Sequence, residues 1–337
     1  MIARFAIPFF VTVGFIIVPL LLFLLCRKFL PNKRYGTVVG ILLAAIEMTL
    51  VGYGMTGGFQ PLVVHHIEYA SADLPEAFDG YRIVQFSDAH VGTMTGSRQP
   101  MVQELIDSIN AQAPDMIIFT GDMQNVYPEE MIPPMLFFRQ LLAPDGVYAV
   151  LGNHDYAVYQ TGTDEEKERN CELTKDIIRK MGFDLLLNEH RIIHRDSDSI
   201  VVAGMENWSK AERMPRKGDV AKTLSHPSPL TPHLSPQTSH PSPLTSHPYT
   251  IMLQHDPSCW REKILPECNA QLTLSGHTHG GQFQLFGWSP VAFSYSEWGG
   301  MTYEGSRAIY VSTGAGSLIP FRLNQPREIT VITLKKK

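Results

Sequence analysis

The sequence predicts an α/β protein, a four-layer α/β/β/α sandwich preceded by two N-terminal transmembrane helices. Three observations lead there. Two long apolar stretches occupy the first sixty residues. Beyond Tyr81, short β-rich apolar runs recur and each stops abruptly in polar residues, the pattern of strands buried on both faces. Helical patterns lie among these runs but are few for so many strands, which two packed sheets accommodate most simply. The chain therefore divides into a membrane anchor at residues 1–57, a linker at 58–80 and a folded domain at 81–337.

In the anchor, Phe5 to Cys26 reads FAIPFFVTVGFIIVPLLLFLLC and Tyr35 to Met55 reads YGTVVGILLAAIEMTLVGYGM. About 20 apolar residues cross a bilayer, so each is long enough. The first exceeds the roughly 7–15 apolar residues of a signal peptide, and a second span follows it directly. Pro8 and Pro19 kink the first span, and Glu47 in the second faces the partner helix or a polar cavity. Arg27, Lys28, Lys33 and Arg34 crowd the connection, whereas no Lys or Arg follows the second span until Arg82. By the positive-inside rule the connection is cytoplasmic. The expected location is thus multi-pass in the cell membrane, with the large domain on the outer, periplasmic or extracellular, face.

In the domain, YRIVQF runs into SDAH, DMIIFT into GDMQN, GVYAVL into GNHD, TIMLQ into HDP, and AQLTL into SGHTHGG. Helices are expected at Gln99–Ala111, Glu129–Leu142 and Asp164–Lys180, and SIVVAGMEN, AIYVST and EITVITL supply further strands. NEHRIIHRDSDS reads as a hairpin that exposes His190 and His194, and the linker exposes His65 and His66. From Thr223 to Tyr249 the chain repeats SHPSPLT at 225–231 and 239–245. Prolines at that density forbid helix or central strand, so about 223–248 is expected to be a disordered insertion. Its histidines, His226, His233, His240 and His247, read as solvated, because a flexible repeat must lose entropy before it can chelate.

The formal charge of -5 and the lack of basic clusters beyond the anchor exclude a duplex nucleic-acid surface built on phosphate neutralisation. Cys26, Cys171, Cys259 and Cys268 have none of the close spacings of zinc knuckles or redox motifs, and a Cys259–Cys268 disulfide stays open.

Ligands of such sheets collect beyond the carboxyl ends of the strands. There the five polar tips bring Asp88, His90, Asp122, Asn153, His154, His255, His277 and His279. Each has an ordinary role taken singly: Asp88 or Asp122 as a helix cap, Asn153 as a turn residue, His255 as a core histidine. Delivery by five separate strand endings changes that reading. With His154 set aside, seven N and O donors without a thiolate suit Mn, Fe, Zn or Ni. Gly121, Gly152, Gly276 and Gly280 beside them permit tight turns and close backbone approach.

SDAH, GDMQN, GNHD, QHD and GHTH resemble, in order, the five signature blocks of the calcineurin-like metallophosphoesterases. The likeness runs from Tyr81 to about Lys335 and includes the closing YVSTGAGSLIPFR. GHTHGGQ behind an N-terminal membrane segment resembles the membrane-associated bacterial branch. The resemblance implies the metallophosphoesterase version of the sandwich and two divalent metal ions. Asp88, His90 and His279 would bind one ion, Asn153, His255 and His277 the other, and Asp122 would bridge them. His154 would sit over the substrate phosphate, stabilising charge or protonating the leaving group, with Asp155 orienting it. Asn125 stands where many relatives carry Asp, and no role is assigned to it.

The function so implied is membrane-anchored hydrolysis of a phosphodiester, phosphomonoester or pyrophosphate bond by attack of a metal-bridging hydroxide. An alternative is a pyrophosphatase acting on a nucleotide-sugar lipid precursor, which needs a cytoplasmic site if its substrate is cytoplasmic. A tethered binding protein without turnover is disfavoured because no ligand is missing. The expected partners are a phosphoester substrate, lipid-linked under the alternative, and the membrane itself. Trp208, Trp288, Trp298 and Tyr156 either line a substrate cleft or pack.

Overall fold

The computed structural model describes residues 9–225 and 248–337. Two long apolar helices come first, α1 (Phe9–Phe29) and α2 (Lys33–Met55), both long and apolar enough to cross a membrane. Asn32 caps α2 by accepting from the Arg34 amide at 2.9 Å. Glycines let the helices approach: a Cβ on Gly36 would lie 2.6 Å from the Cys26 carbonyl oxygen, and one on Gly40 would lie 2.9 Å from Phe23 Cα.

No free linker follows. Phe59, four residues beyond α2, is buried in the domain core under the Arg98 guanidinium. Leu62–Ser71 then forms strand β1, parallel to the last strand of the chain from Leu62↔Arg327 to Ser71↔Lys336. The expected linker at 58–80 is therefore largely structure. As an edge strand β1 leaves His65 and His66 exposed, so it lacks the apolar run that marks the central strands.

The remaining strands are β2 (Arg82–Phe86), β3 (Met116–Phe119), β4 (Val147–Ala149), β5 (Asp184–Leu185), β6 (Glu189–Arg195), β7 (Asp198–Gly204), β8 (Thr250–Leu253), β9 (Leu272–Ser275), β10 (Gly300–Glu304), β11 (Arg307–Val311) and β12 (Arg327–Lys336). They form two six-stranded sheets, β1-β12-β2-β3-β4-β5 and β10-β11-β9-β8-β7-β6. Within them β2 to β5 are mutually parallel, as are β7, β8, β9 and β11. All their carboxyl ends reach one edge of the sandwich.

The sheets meet through a layer that includes Ile83, Ile118, Val150, Val202, Ile251, Leu274 and Ile332. Outside the first sheet, Leu105 and Ile106 of α3 (Pro100–Asn110) and Ile177 and Ile178 of a long helix (Asp164–Lys180) cover Val84, Phe86 and Phe119. Outside the second, Trp260 and Ile264 cover Val201, Met252 and Val311. These are the four layers that the strand-rich pattern predicts. Arg191 grips Asp184 with two hydrogen bonds of 2.7 Å, fastening β6 to β5 where the chain changes sheets.

Three expectations need correction. The helix over Glu129–Leu142 is only a 3-10 turn (Pro128–Met131) and a short α4 (Met135–Phe138), because Pro133 and Pro134 interrupt it. The hairpin of β6 and β7 forms, but His190 is buried, its Nδ1 2.8 Å from the Thr223 carbonyl, while His194 is exposed. Alternation puts residues four apart on one face, so what separates the two is cover: the Val220–Ser225 helix packs over His190, whereas His194 stands next to the strand end. Thr223 lies inside a described helix, Val220–Ser225, and the proline-rich insertion from residue 226 to 247 lies outside the described residues. All four cysteines are free.

Candidate metal centre

The strand ends build the site. Asp88 and His90 follow β2, Asp122 follows β3, Asn153 to Asp155 follow β4, His255 follows β8, and His277 and His279 follow β9. Five of the seven expected ligands adopt left-handed backbone: Asp88 (φ 51°), His90 (41°), Asp122 (62°), His277 (74°) and His279 (52°). Such conformations cost roughly 1–3 kcal/mol each for residues other than glycine and persist where surroundings impose them. Here the Asp88 amide donates to the Gly121 carbonyl at 2.8 Å, the His90 amide to the Asp122 carbonyl at 3.2 Å, and the His277 amide to the Asp88 carboxylate at 2.9 Å.

Asp155 is the common tie. Its carboxylate accepts from the amides of Gly152 (2.9 Å), Asp122 (2.8 Å) and Met123 (3.1 Å), fixing the turns after β3 and β4 to each other. It was expected to orient His154, but the carbonyl of Asn125 does so, 2.5 Å from His154 Nδ1. Gly152 is equally constrained, since a Cβ there would lie 2.1 Å from Asp122 Oδ1. Gly152→Ala should cost about 1–3 kcal/mol in stability by overpacking. It should weaken metal binding further by displacing Asp122, read by a thermal melt and a metal titration on one preparation.

Side-chain donors converge in three groups: Asp88, His90 and His279; His90, Asp122 and His154; and Asp122, His255 and His277. Asn153 joins the last, its Oδ1 3.2 Å from His255 Nε2. The seven expected ligands and His154 therefore come together, Asp155 braces the turns beside them, and Asp122 stands in two groups. His154 falls within one, although its Nδ1 is committed to the Asn125 carbonyl.

The donor set fits cations. His90 Nδ1 must donate to the Gln124 carbonyl at 3.1 Å, so its Nε2 carries a bare lone pair, and that atom faces His279 Nε2 at 3.1 Å. His255 Nδ1 likewise donates to the Thr120 carbonyl at 2.7 Å, which turns Nε2 toward Asn153 Oδ1, His277 Nδ1 and Asp122 Oδ2, each 3.2 Å away. Acceptors pressed together with at most the one proton of His255 between them are what a cation would relieve.

Electrostatics supports the same fit. Burial, helped by His154, pushes His90 down to about 3, and burial lowers His277 and His279 as well, so these imidazoles are neutral. Burial pushes the Asp88 carboxyl up to about 7. Burial alone would lower His255, but the Asp122 carboxylate outweighs it and pushes the imidazole up to about 10. Burial opposes ionisation of Asp122, yet His255, His154 and His90 hold it well below the usual carboxylate range. Without metal, His255 therefore holds a proton at neutral pH, and a ligand must shed it. Loading at pH 8 should release about one proton, and more at pH 6 as Asp88 also protonates, so affinity rises with pH. Calorimetric titration in buffers of different ionisation enthalpy measures that number.

Several contributors carried no sequence signal as isolated residues. Tyr159 accepts from Asn153 Nδ2 at 2.9 Å, which fixes the amide's orientation, and stacks on the His154 ring with centroids 4.2 Å apart. The Tyr295 hydroxyl lies 2.8 Å from His277 Nε2, with Asp256 behind it. Asp256 was visible within QHD and Tyr295 was not. Arg322, fully buried, donates to the Thr313 carbonyl at 2.7 Å and the Gly314 carbonyl at 3.0 Å and shapes the loop beside Asp88 and His279. Of the aromatic residues with open roles, Tyr156 packs inside, its hydroxyl accepting from the Asn207 amide at 3.2 Å.

A family model for the calcineurin-like phosphoesterases matches residues 81–281, the stretch that carries every candidate metal ligand from Asp88 to His279. The chain belongs to that family. It is therefore a metal-dependent phosphoesterase. Its relatives include the metallophosphoesterase YkuE of Bacillus subtilis (strain 168), 31% identical over 322 residues, which cover 92% of this chain and 97% of the relative. The transmembrane protein with metallophosphoesterase domain of Danio rerio is 28% identical over 308 residues, 89% of this chain and 63% of its own. A metallophosphoesterase of Aquifex aeolicus (strain VF5) is 28% identical over 261 residues, 76% of this chain and 85% of its own. The family is dimetal-dependent, and this chain's clustered donors agree with that requirement.

Proposed function

We propose that the chain is a membrane-anchored phosphoesterase that uses two divalent ions, Mn, Fe, Zn or Ni, to hydrolyse a phosphodiester, phosphomonoester or pyrophosphate bond. The observation that carries this reading is the meeting of two donor groups at Asp122. Asp88, His90 and His279 would hold one ion, Asn153, His255 and His277 the other, with Asp122 shared. Bound ions supply Lewis-acid polarisation of the phosphoryl oxygens and a water of lowered pKa.

The protein's own part is to orient and to move a proton. With Nδ1 of His154 donating to the Asn125 carbonyl, Nε2 is the nitrogen left to meet substrate, and the same bond is kept whether the ring is neutral or protonated. His154 can thus give a proton to the leaving oxygen without losing its place. Stacking on Tyr159 and burial in the turn after β4 hold the ring ready.

The protein charged with Mn or Zn should cleave a bis-aryl phosphate with saturable turnover that chelation abolishes and metal restores. Absence of cleavage across diester, monoester and pyrophosphate substrates would contradict the reading. The basic residues between α1 and α2 support a domain on the outer face. A second reading, the pyrophosphate bond of a nucleotide-sugar lipid, is favoured by one contact: the Arg322 amide donates to the Gly54 carbonyl of α2 at 2.9 Å, so the centre stands close to the anchor. A C-terminal topology reporter separates them, since a cytoplasmic domain would favour the lipid precursor.

A further inference from the structure

The turn after His279 leads into a loop whose segment Phe283–Phe293 the chemistry does not use. From Gly280 to Ser296 no side chain is charged. Phe286 is 99% exposed, Phe293 85%, Leu285 46% and Trp288 45%. These side chains stand on a closed turn: the Leu285 amide donates to the Trp288 carbonyl at 2.8 Å and the reverse bond measures 3.0 Å. Ser289 anchors the turn by donating to the Gly280 carbonyl at 2.8 Å, and the rings of Trp288 and Phe293 meet edge to face, 5.3 Å between centroids. An ordered aromatic cluster held out into water marks a contact surface.

Its position says what covers it. The Gln284 amide donates to the Leu323 carbonyl at 2.9 Å, and Gln282 Nε2 donates to the carbonyls of Ile319 at 2.9 Å and Phe321 at 2.5 Å. That same segment closes on the anchor. The Arg322 amide bonds the Gly54 carbonyl, and the Phe321 ring packs against Gly54 and against Phe10 of α1, with ring centroids 4.8 Å apart. The aromatic loop is therefore continuous with the end of the helix pair at which α2 gives way to the domain, the level at which α2 would leave the bilayer.

We propose that the loop Phe283–Phe293 is a second membrane contact, inserting Phe286, Trp288 and Phe293 at the headgroup and acyl-chain boundary beside α2. Tryptophan and phenylalanine with no charge among them suit that boundary, where apolar rings are buried and the indole N–H stays wet. The inference rests on α1 and α2 spanning the membrane. With Phe59 fixed in the core and this loop seated in lipid, the mouth beside His279 is held at headgroup depth. A phosphoester carried on a lipid then reaches the centre without leaving the membrane.

The test uses the full chain reconstituted in phosphatidylcholine vesicles, with and without bromine on the acyl chains. Trp288 emission is taken as the difference between wild type and Trp288→Phe. Brominated lipid should remove about half of that emission or more, the depth response of a ring at the boundary. Phe286→Asp with Phe293→Asp should abolish the quenching while the protein still floats with the vesicles and turns over a soluble aryl phosphodiester at the wild-type rate. Equal Trp288 emission in both lipids from a chain that floats would overturn the loop's role and leave the anchor intact. Crosslinking of the loop to a second chain, with Trp288 unquenched, would assign it to self-association instead. A chain that does not float after an alkaline wash would overturn both the anchor and the loop. None of these readouts depends on which bond is cleaved.

Discussion

Asp122→Ala is expected to lower turnover by about a thousandfold or more, because a group shared by two ions cannot be replaced from one side. No neighbour can substitute for it. Its Oδ1 accepts the His154 amide at 2.8 Å, its Oδ2 lies 3.2 Å from His255 Nε2 and 3.7 Å from His90 Nε2, and these contacts join the two donor groups. Asp122→Asn separates shape from charge, since the amide oxygen can still accept from His154 while the anionic bridge is gone. Both variants should bind fewer than two ions per chain by elemental analysis, and Asp122→Asn should keep more of the wild-type thermal stability. A variant that retains two ions and wild-type turnover would remove Asp122 from the centre.

His154→Ala should behave differently. It is expected to lower kcat by roughly a hundred- to ten-thousandfold, the usual range for a lost general acid, with metal content unchanged. The two tasks open to His154 are separable by the leaving group. If the ring protonates the leaving oxygen, a nitrophenolate leaves nearly as well without it, and the loss concentrates on alkyl esters that need the proton. If the ring only stabilises charge on the phosphoryl oxygens, both esters lose equally. A loss of bound metal instead would move His154 into the ligand set, beside His90 and Asp122, to which its side chain lies close.

Much of this was readable from the chain because the chemistry sits at strand ends. A buried parallel strand must be apolar, and ligand-binding polar residues gather past its carboxyl end, so the boundary between the two announces both the strand and the site. Asp88, Asp122, Asn153 and His255 are each the second or later residue past such a boundary. The four layers follow from the same runs.

What escaped the sequence has physical causes. β1 is an edge strand with His65 and His66 turned outward, so its pattern resembles that of a linker. Pro133 and Pro134 cut an apolar segment that otherwise has helical spacing. Tyr159, Tyr295 and Arg322 serve the site through a hydroxyl or a guanidinium brought in from loops, and no periodicity marks a residue whose role depends on a long-range approach. Asp155 was identified as a site residue, but its task lies in four backbone amides that only the folded turns bring together, those of Gly152, Asp122, Met123 and, at 3.4 Å, Gln124.

The central claim is a pair of ions sharing one aspartate. Anomalous diffraction from crystals soaked in Mn tests it most directly. Two peaks about 3.5–4 Å apart are expected, with Asp122 touching both, Asp88, His90 and His279 around one, and Asn153, His255 and His277 around the other. A single peak, or two peaks with no shared carboxylate, would contradict the account.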